Sequence, residues 1–233
     1  MPRLDHIVNR EERLLELWME LEEGSQNSLL NSNYDRLDPK TGERCIAHVV
    51  EYIQLADTVI NQDVIFIKNL TKVASHIISK SELLDRYLDS LYKFNMEGHT
   101  ITQKQIEGLD EQRRINMSAH FLSHAATVAR KNYVKTNDTI WLKRAFECNK
   151  ESGEITEKTD RAHAAYSFGL ADNAAEEMFC QVVDSKKIAW AEKWFGAAKK
   201  SGDVIGELDL IHAFHSYSKA GEAAYNLYRL TKK

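Results

Sequence analysis

Apolar residues recur along most of this chain at intervals of three and four, the period of helices that bury one face. Positions 10–23 carry Leu14, Leu15, Leu17, Trp18 and Leu21 and stop at Gly24, which predicts a first amphipathic helix. From 25 to 43 the residues turn to Ser, Asn, Asp and Gly with Pro39, the composition of the longest loop in the chain. Two more helices are expected over 48–60 and 64–78, with Asp63 placed to cap the second. The β-branched Val64, Ile65 and Ile67 would suit a strand, but no partner strand is evident.

Ser79 and Glu82 have capping-box spacing, and Leu84, Leu88, Leu91 and Tyr92 carry an apolar face to about Met96, where Gly98 is expected to close the helix. A second capping box, Thr102 with Gln105, predicts a helix through Ile106, Leu109, Ile115, Phe121, Leu122 and Val128 to Tyr133, roughly 30 residues or 45 Å long.

The C-terminal half repeats itself without a gap at a spacing of about 49 positions, the scale of a helical-hairpin unit. Trp141 matches Trp190, Phe146 matches Phe195, and Lys150, Ser152 and Gly153 match Lys199, Ser201 and Gly202. Further on, Asp160, His163, Ala164, Ser167 and Ala174 match Asp209, His212, Ala213, Ser216 and Ala223. Each copy reads as a short helix, 141–150 or 187–200, a left-handed stop at the Ser-Gly pair, and a long helix restarting at Glu154 or Asp203. Connections that short force antiparallel neighbours. The expected fold is therefore all-α, antiparallel helical hairpins stacked as a short α-solenoid or bundle with no sheet. N-terminal helices would occupy 1–80 and hairpins 81–135, 139–183 and 186–231, in one continuous domain.

Composition supports a folded, helix-rich protein: 43% hydrophobic and 28% charged residues, with only 2 Pro and 10 Gly. A formal net charge of -4 gives no overall attraction to a phosphate backbone, so nucleic acid is not the expected partner. Cys45, Cys148 and Cys180 form no Cys-x-x-Cys pair and read as small buried hydrophobes in a reducing cytosol. Positions 1–9 lack the apolar core of a signal peptide and no apolar run approaches a membrane span, so a cytoplasmic location is expected.

Lys199, Lys200, Ser201, Gly202 and Asp203 after Trp190, Trp194 and Phe195, followed by the small residues Ala213, Ala220 and Ala223, resemble a tetratricopeptide-type hairpin array over the C-terminal half. The unit here is longer than that family's roughly 34 residues, and its Trp-Leu-Gly-Tyr order is not kept. The resemblance implies stacked hairpins and binding of peptides or protein partners, and it transfers no individual residue.

The repeated Asp-x-x-His, Asp160 with His163 and Asp209 with His212, places an acid and an imidazole one helical turn apart. Paired carboxylate and His groups on two helices can hold a two-metal centre, but the Glu that each partner helix must add is missing: Glu147 aligns with Gly196, and Glu192 with Lys143. A structural pair that orients the imidazole is the simpler reading, and no cofactor is expected. His120 and His124, four apart, have no evident third ligand. Arg114 and His120 resemble the Arg-x4-6-His signature of the HEPN family of helical nucleases. That likeness implies an Arg stabilising phosphorane charge and a His moving a proton. Ile115 stands where that family often has a polar residue.

Trp141, Trp190, Trp194, Phe195, Tyr217, Tyr225 and Tyr228 are read as the packed seam of the hairpins. The functional expectation is a non-catalytic protein or peptide binding module. Its candidate partner-binding residues are Asp160, His163, Tyr166, Asp209, His212 and His215, with Tyr166 and its aligned His215 the first place to look. The alternatives are a HEPN-like protein using Arg114 and His120, and a metal-binding protein using the paired Asp160, His163, Asp209 and His212.

Overall fold

The structure, a computed structural model, describes residues 88–103, 110–206 and 208–232. The helices expected over 10–23, 48–60 and 64–78, the 25–43 loop, the capping box at Ser79 and Cys45 all lie outside these residues. The chain divides into units 1–94 and 95–233. Among the described residues all regular structure is helical, in six helices: α1 (Leu88–Gln103), α2 (Glu111–Thr136), α3 (Thr139–Thr156), α4 (Arg161–Gln181), α5 (Asp184–Ile205) and α6 (Leu210–Thr231). None of them is long and apolar enough to cross a membrane.

Each junction is fixed by local chemistry. Asp110, Asp138, Asp160 and Asp209 cap α2, α3, α4 and α6, each carboxylate accepting from backbone N–H groups of the first turn. Helix α2 ends on Asn137 in the left-handed conformation, φ 53°, whose N–H bonds the carbonyl of Tyr133. With so few residues between them, consecutive helices run antiparallel, and α2 packs on α3, α3 on α4, α4 on α5 and α5 on α6.

Contacts beyond neighbours sort the helices into two layers. Phe146 of α3 meets Trp190 of α5 edge-on with ring centroids 5.5 Å apart. His99 of α1 bonds Glu151 of α3 at 3.0 Å. On the other side Arg130 of α2 pairs with Glu177 of α4, and Lys219 of α6 with Asp172 of α4. Helices α1, α3 and α5 form one layer, and α2, α4 and α6 the second. Phe121, Leu122, Leu142 and Trp194 are buried at 2% exposure or less between them.

The duplicated segments are duplicate packing units. Ser167 donates to Ser152 at 3.3 Å as Ser216 does to Ser201 at 3.2 Å, and both central serines reach a carbonyl of the preceding second-layer helix, Ala119 or Ala165. A Cβ on Gly153 would sit 2.9 Å from the Phe168 ring, and one on Gly202 would sit 2.9 Å from Tyr217. Gly98 meets Phe121 in the same way, at 2.6 Å, so this contact occurs a third time.

Several boundaries differ from the sequence reading. The Ser-Gly pairs lie inside α3 and α5 rather than at a left-handed stop, because glycine is present there for close approach of an aromatic ring. Glu154 and Asp203 lie inside the same helices, bonded to Lys150 and Lys199 one turn back. Helix α3 runs on to Thr156 and α5 to Ile205, so the first helix of each unit is nearly as long as the second. Gly98 is likewise internal, Thr102 lies within α1, and α2 opens at Glu111 behind Asp110.

The aromatic seam is only partly a seam. Trp141, Trp190 and Trp194 are buried, whereas Phe195, Tyr217, Tyr225 and Tyr228 are exposed; Tyr217 lies over Gly202 of α5 and donates to Asp203, while Tyr225 and Tyr228 stand on the outer face of α6, which no described helix covers. Cys148 is buried, but Cys180 is exposed near the end of α4 and is no core residue.

Candidate functional site

Second-layer helices spaced by the first layer leave furrows between them, and two are open clefts. The α4–α6 cleft, about 380 Å3, is lined by Tyr166, Gly169, Asp172, His212, His215 and Lys219 among others. The α2–α4 cleft, about 670 Å3, includes Thr127, Arg130, Asn149, Tyr166, Glu177 and Cys180. Tyr166 lines both and is 66% exposed, so its ring forms the ridge between them.

The floor of the α4–α6 cleft carries charge. Asp172 is buried beneath Lys219, whose ammonium lies 2.9 Å from it and 3.1 Å from Glu176. Burial pushes the Asp172 carboxyl up, with Lys219 pulling against it. The buried Trp194 indole lies close enough to favour that carboxylate yet makes no hydrogen bond of good geometry. Burial also opposes the charge on Lys219, but Asp172 and Glu176 outweigh it and the Lys219 pKa rises. In the neighbouring cleft, the buried Asn149 has a side-chain oxygen with no hydrogen-bond partner.

These shifts imply alkaline sensitivity. Tyr133, between α2 and α4, is raised above its ordinary 10.0 by burial and by Glu177, and Lys219 above its ordinary 10.5. Both groups hold their protons more tightly folded than unfolded. The stability they contribute is complete below the ordinary values and is lost as pH rises through the folded ones. The urea midpoint should therefore fall between about pH 10 and 12; a midpoint constant across that range would contradict the assignment.

Tyr166, Asp209, His212 and His215 are brought together on the α4–α6 cleft. Asp160 and His163 are not among its lining residues. Asp160 accepts from the His163 N–H at 2.9 Å as the α4 cap, and the His163 ring lies 3.1 Å from the Ser152 hydroxyl. Asp209 plays the same capping part for α6, and it alone also bonds its histidine ring, at 2.7 Å from Nδ1 of His212. Those bonds hold the Asp209 carboxyl below the usual range, the His212 backbone N–H contributing most. The repeated Asp-x-x-His is thus a helix-start motif.

No group of three or more His, Cys, Asp or Glu side chains able to hold a metal occurs among the described residues. Arg114 and His120 both lie on α2, where six residues of separation turns them about 120° apart around the axis. The His120 ring meets His124, Nε2 to Nε2 at 2.8 Å. Sequence reasoning missed the Asp172, Glu176 and Lys219 cluster and Asn149. It weighted repeated positions, and these are not repeated: Asp172 aligns with Gly221, Lys219 with Leu170 and Asn149 with Ala198.

Stacked helical hairpins with a furrowed second layer define a helical-repeat protein. No protein-family model matches the chain, and no curated protein matches it. Among solved structures it is similar to a de novo designed helical repeat protein, at TM-score 0.39 and 12% identity over 96% of this chain and 100% of the other. It is also similar to the chain of the DHF58 filament, at TM-score 0.37 and 12% identity over 95% of each. A third, from computational design of self-assembling cyclic homooligomers, aligns at TM-score 0.34 and 9% identity over 98% of this chain and 86% of that one.

Proposed function

We propose that this chain is a protein or peptide binding scaffold that receives its partner on the α2, α4 and α6 layer. The observation that carries this reading is the pair of clefts on either side of the exposed Tyr166 ring. An aromatic ridge offers a large contact area at little entropic cost, and the flanking furrows give side chains somewhere to go. His212 and His215 line the α4–α6 cleft together with the charged Asp172 and Lys219. The reading assigns binding roles to Tyr166, His212 and His215 and no catalytic group.

Selection of displayed random peptides on the purified full chain tests this. Enriched sequences are expected to bind the wild type and to lose about tenfold or more in affinity on Tyr166→Ala, with helical circular dichroism unchanged. Failure to enrich any sequence, or binding indifferent to Tyr166, would overturn the proposal.

A further inference from the structure

Helix α6 exposes an apolar stripe along its outer face. Leu210, Phe214, Tyr225 and Tyr228 are 78%, 76%, 60% and 54% exposed, and at 100° per residue they fall within roughly 60° of the helix circumference. The repeat shows what this face corresponds to. On α4 the positions matching Phe214 and Tyr228 are ones that α5 covers: Ala165 accepts from Ser201 at 2.9 Å, and Phe179 meets Trp194 with ring centroids 5.9 Å apart.

The occupant of the α6 face does not dock as α5 does. Close approach of α5 depends on Ala165, and its counterpart on α6 is Phe214, whose ring fills that space. Small residues stand at the middle of the stripe, Ser218 and Gly221, and a Cβ on Gly221 would meet nothing within 4 Å. Read along the helix, the stripe runs large, small, large: Leu210 and Phe214, then Ser218 and Gly221, then Tyr225 and Tyr228. Reversing its direction leaves that order unchanged, so an antiparallel pair about a two-fold axis sets small residues together at its centre and large ones together on either side.

We propose that the α6 face binds the same face of a second copy of this chain, with the two helices antiparallel and crossing at Ser218 and Gly221. Phe214 of each copy then faces Tyr225 of the other. The antiparallel orientation also keeps the basic Arg229 and Lys232, at the end of each α6, away from their counterparts, which a parallel pair would bring together. The area is also sufficient. The exposed parts of these side chains, with the 82% exposed Ile211 beside them, amount to roughly 700 Å2 per copy, against about 800 Å2 per partner in a standard specific interface. The tyrosine hydroxyls at the rim keep the separated chain tolerable to water, which suits a reversible dimer.

Sedimentation equilibrium of the full chain across micromolar concentrations tests this. The wild type is expected to show a monomer–dimer equilibrium, and Phe214→Glu and Tyr225→Glu each to raise its dissociation constant by about tenfold or more, with helical circular dichroism retained. Gly221→Leu, which props the crossing apart, should do the same, while Tyr166→Ala, on the cleft face, should leave the equilibrium alone. A wild type that stays monomeric overturns the proposal, as do dimers that persist in both glutamate variants. Open-ended growth overturns it as well, since an isologous contact closes at two.

Discussion

Lys219→Met is expected to lower the unfolding free energy by about 3 kcal/mol at neutral pH, out of proportion to a partly exposed surface lysine. The reason lies beneath it. Asp172 is buried in the α4–α6 floor with its side chain 4% exposed, and Lys219 is the cation that compensates it. Methionine keeps the aliphatic packing of the lysine stem and removes the charge, so the cost measures an isolated carboxylate in a poorly solvated place. Removing both charges, in Asp172→Asn with Lys219→Met, should recover part of the loss, giving a coupling energy of about 1–3 kcal/mol in a double-mutant cycle.

The pH dependence of the single variant has a definite sign. Burial already raises the Asp172 carboxyl above its ordinary value, and loss of Lys219 raises it further. An acid whose folded pKa is raised destabilises the fold above that pKa and ceases to do so when protonated. The gap between Lys219→Met and wild type should therefore be widest at neutral pH and narrow as pH falls through the Asp172 titration. Urea midpoints measured on both chains from neutral to acid would show it. A gap that widened on acidification would mean that Asp172 is not the group left uncompensated.

Gly153→Leu should destabilise by a similar amount, about 3 kcal/mol, through overpacking. A Cβ there already lies 2.9 Å from the Phe168 ring, and the ring is held in place, 3% exposed among Ala164, Ala165 and Val204. Three further carbons have nowhere to go unless α3 and α4 separate. The internal control is Gly196→Ala, on α5, where a Cβ would meet nothing within 4 Å. That change should stabilise by about 0.5–1 kcal/mol, because alanine restricts the unfolded chain and favours the helix. The two midpoints should thus move in opposite directions from wild type. A shared direction would show that helix propensity, and not ring contact, governs these glycines.

The same glycines show where reading by local rules goes astray. A glycine after an amphipathic run has the composition of a helix end, and Gly98, Gly153 and Gly202 all stand in that setting. All three are internal because an aromatic ring on the next helix occupies the space a side chain would fill, a fact held fifteen residues away for Gly153 and Gly202 and twenty-three for Gly98. The true ends are marked by Asp110, Asp160 and Asp209, residues with the right capping chemistry. In the two repeats that chemistry also suits a site, since an acid one turn before a histidine serves a cap and a ligand pair equally well.

From the residues alone came the helical class, the duplicated unit and the antiparallel order of its parts, since apolar spacing, an ungapped internal match and short connections are all properties of neighbours along the chain. Which side chains share a cleft, which aromatics stay wet and which acid lies buried under a lysine were settled by the stacking of α2, α4 and α6. The physical reason is distance in sequence: Tyr166 and His215, like Asp172 and Lys219, come from different hairpins and meet only once the layers close.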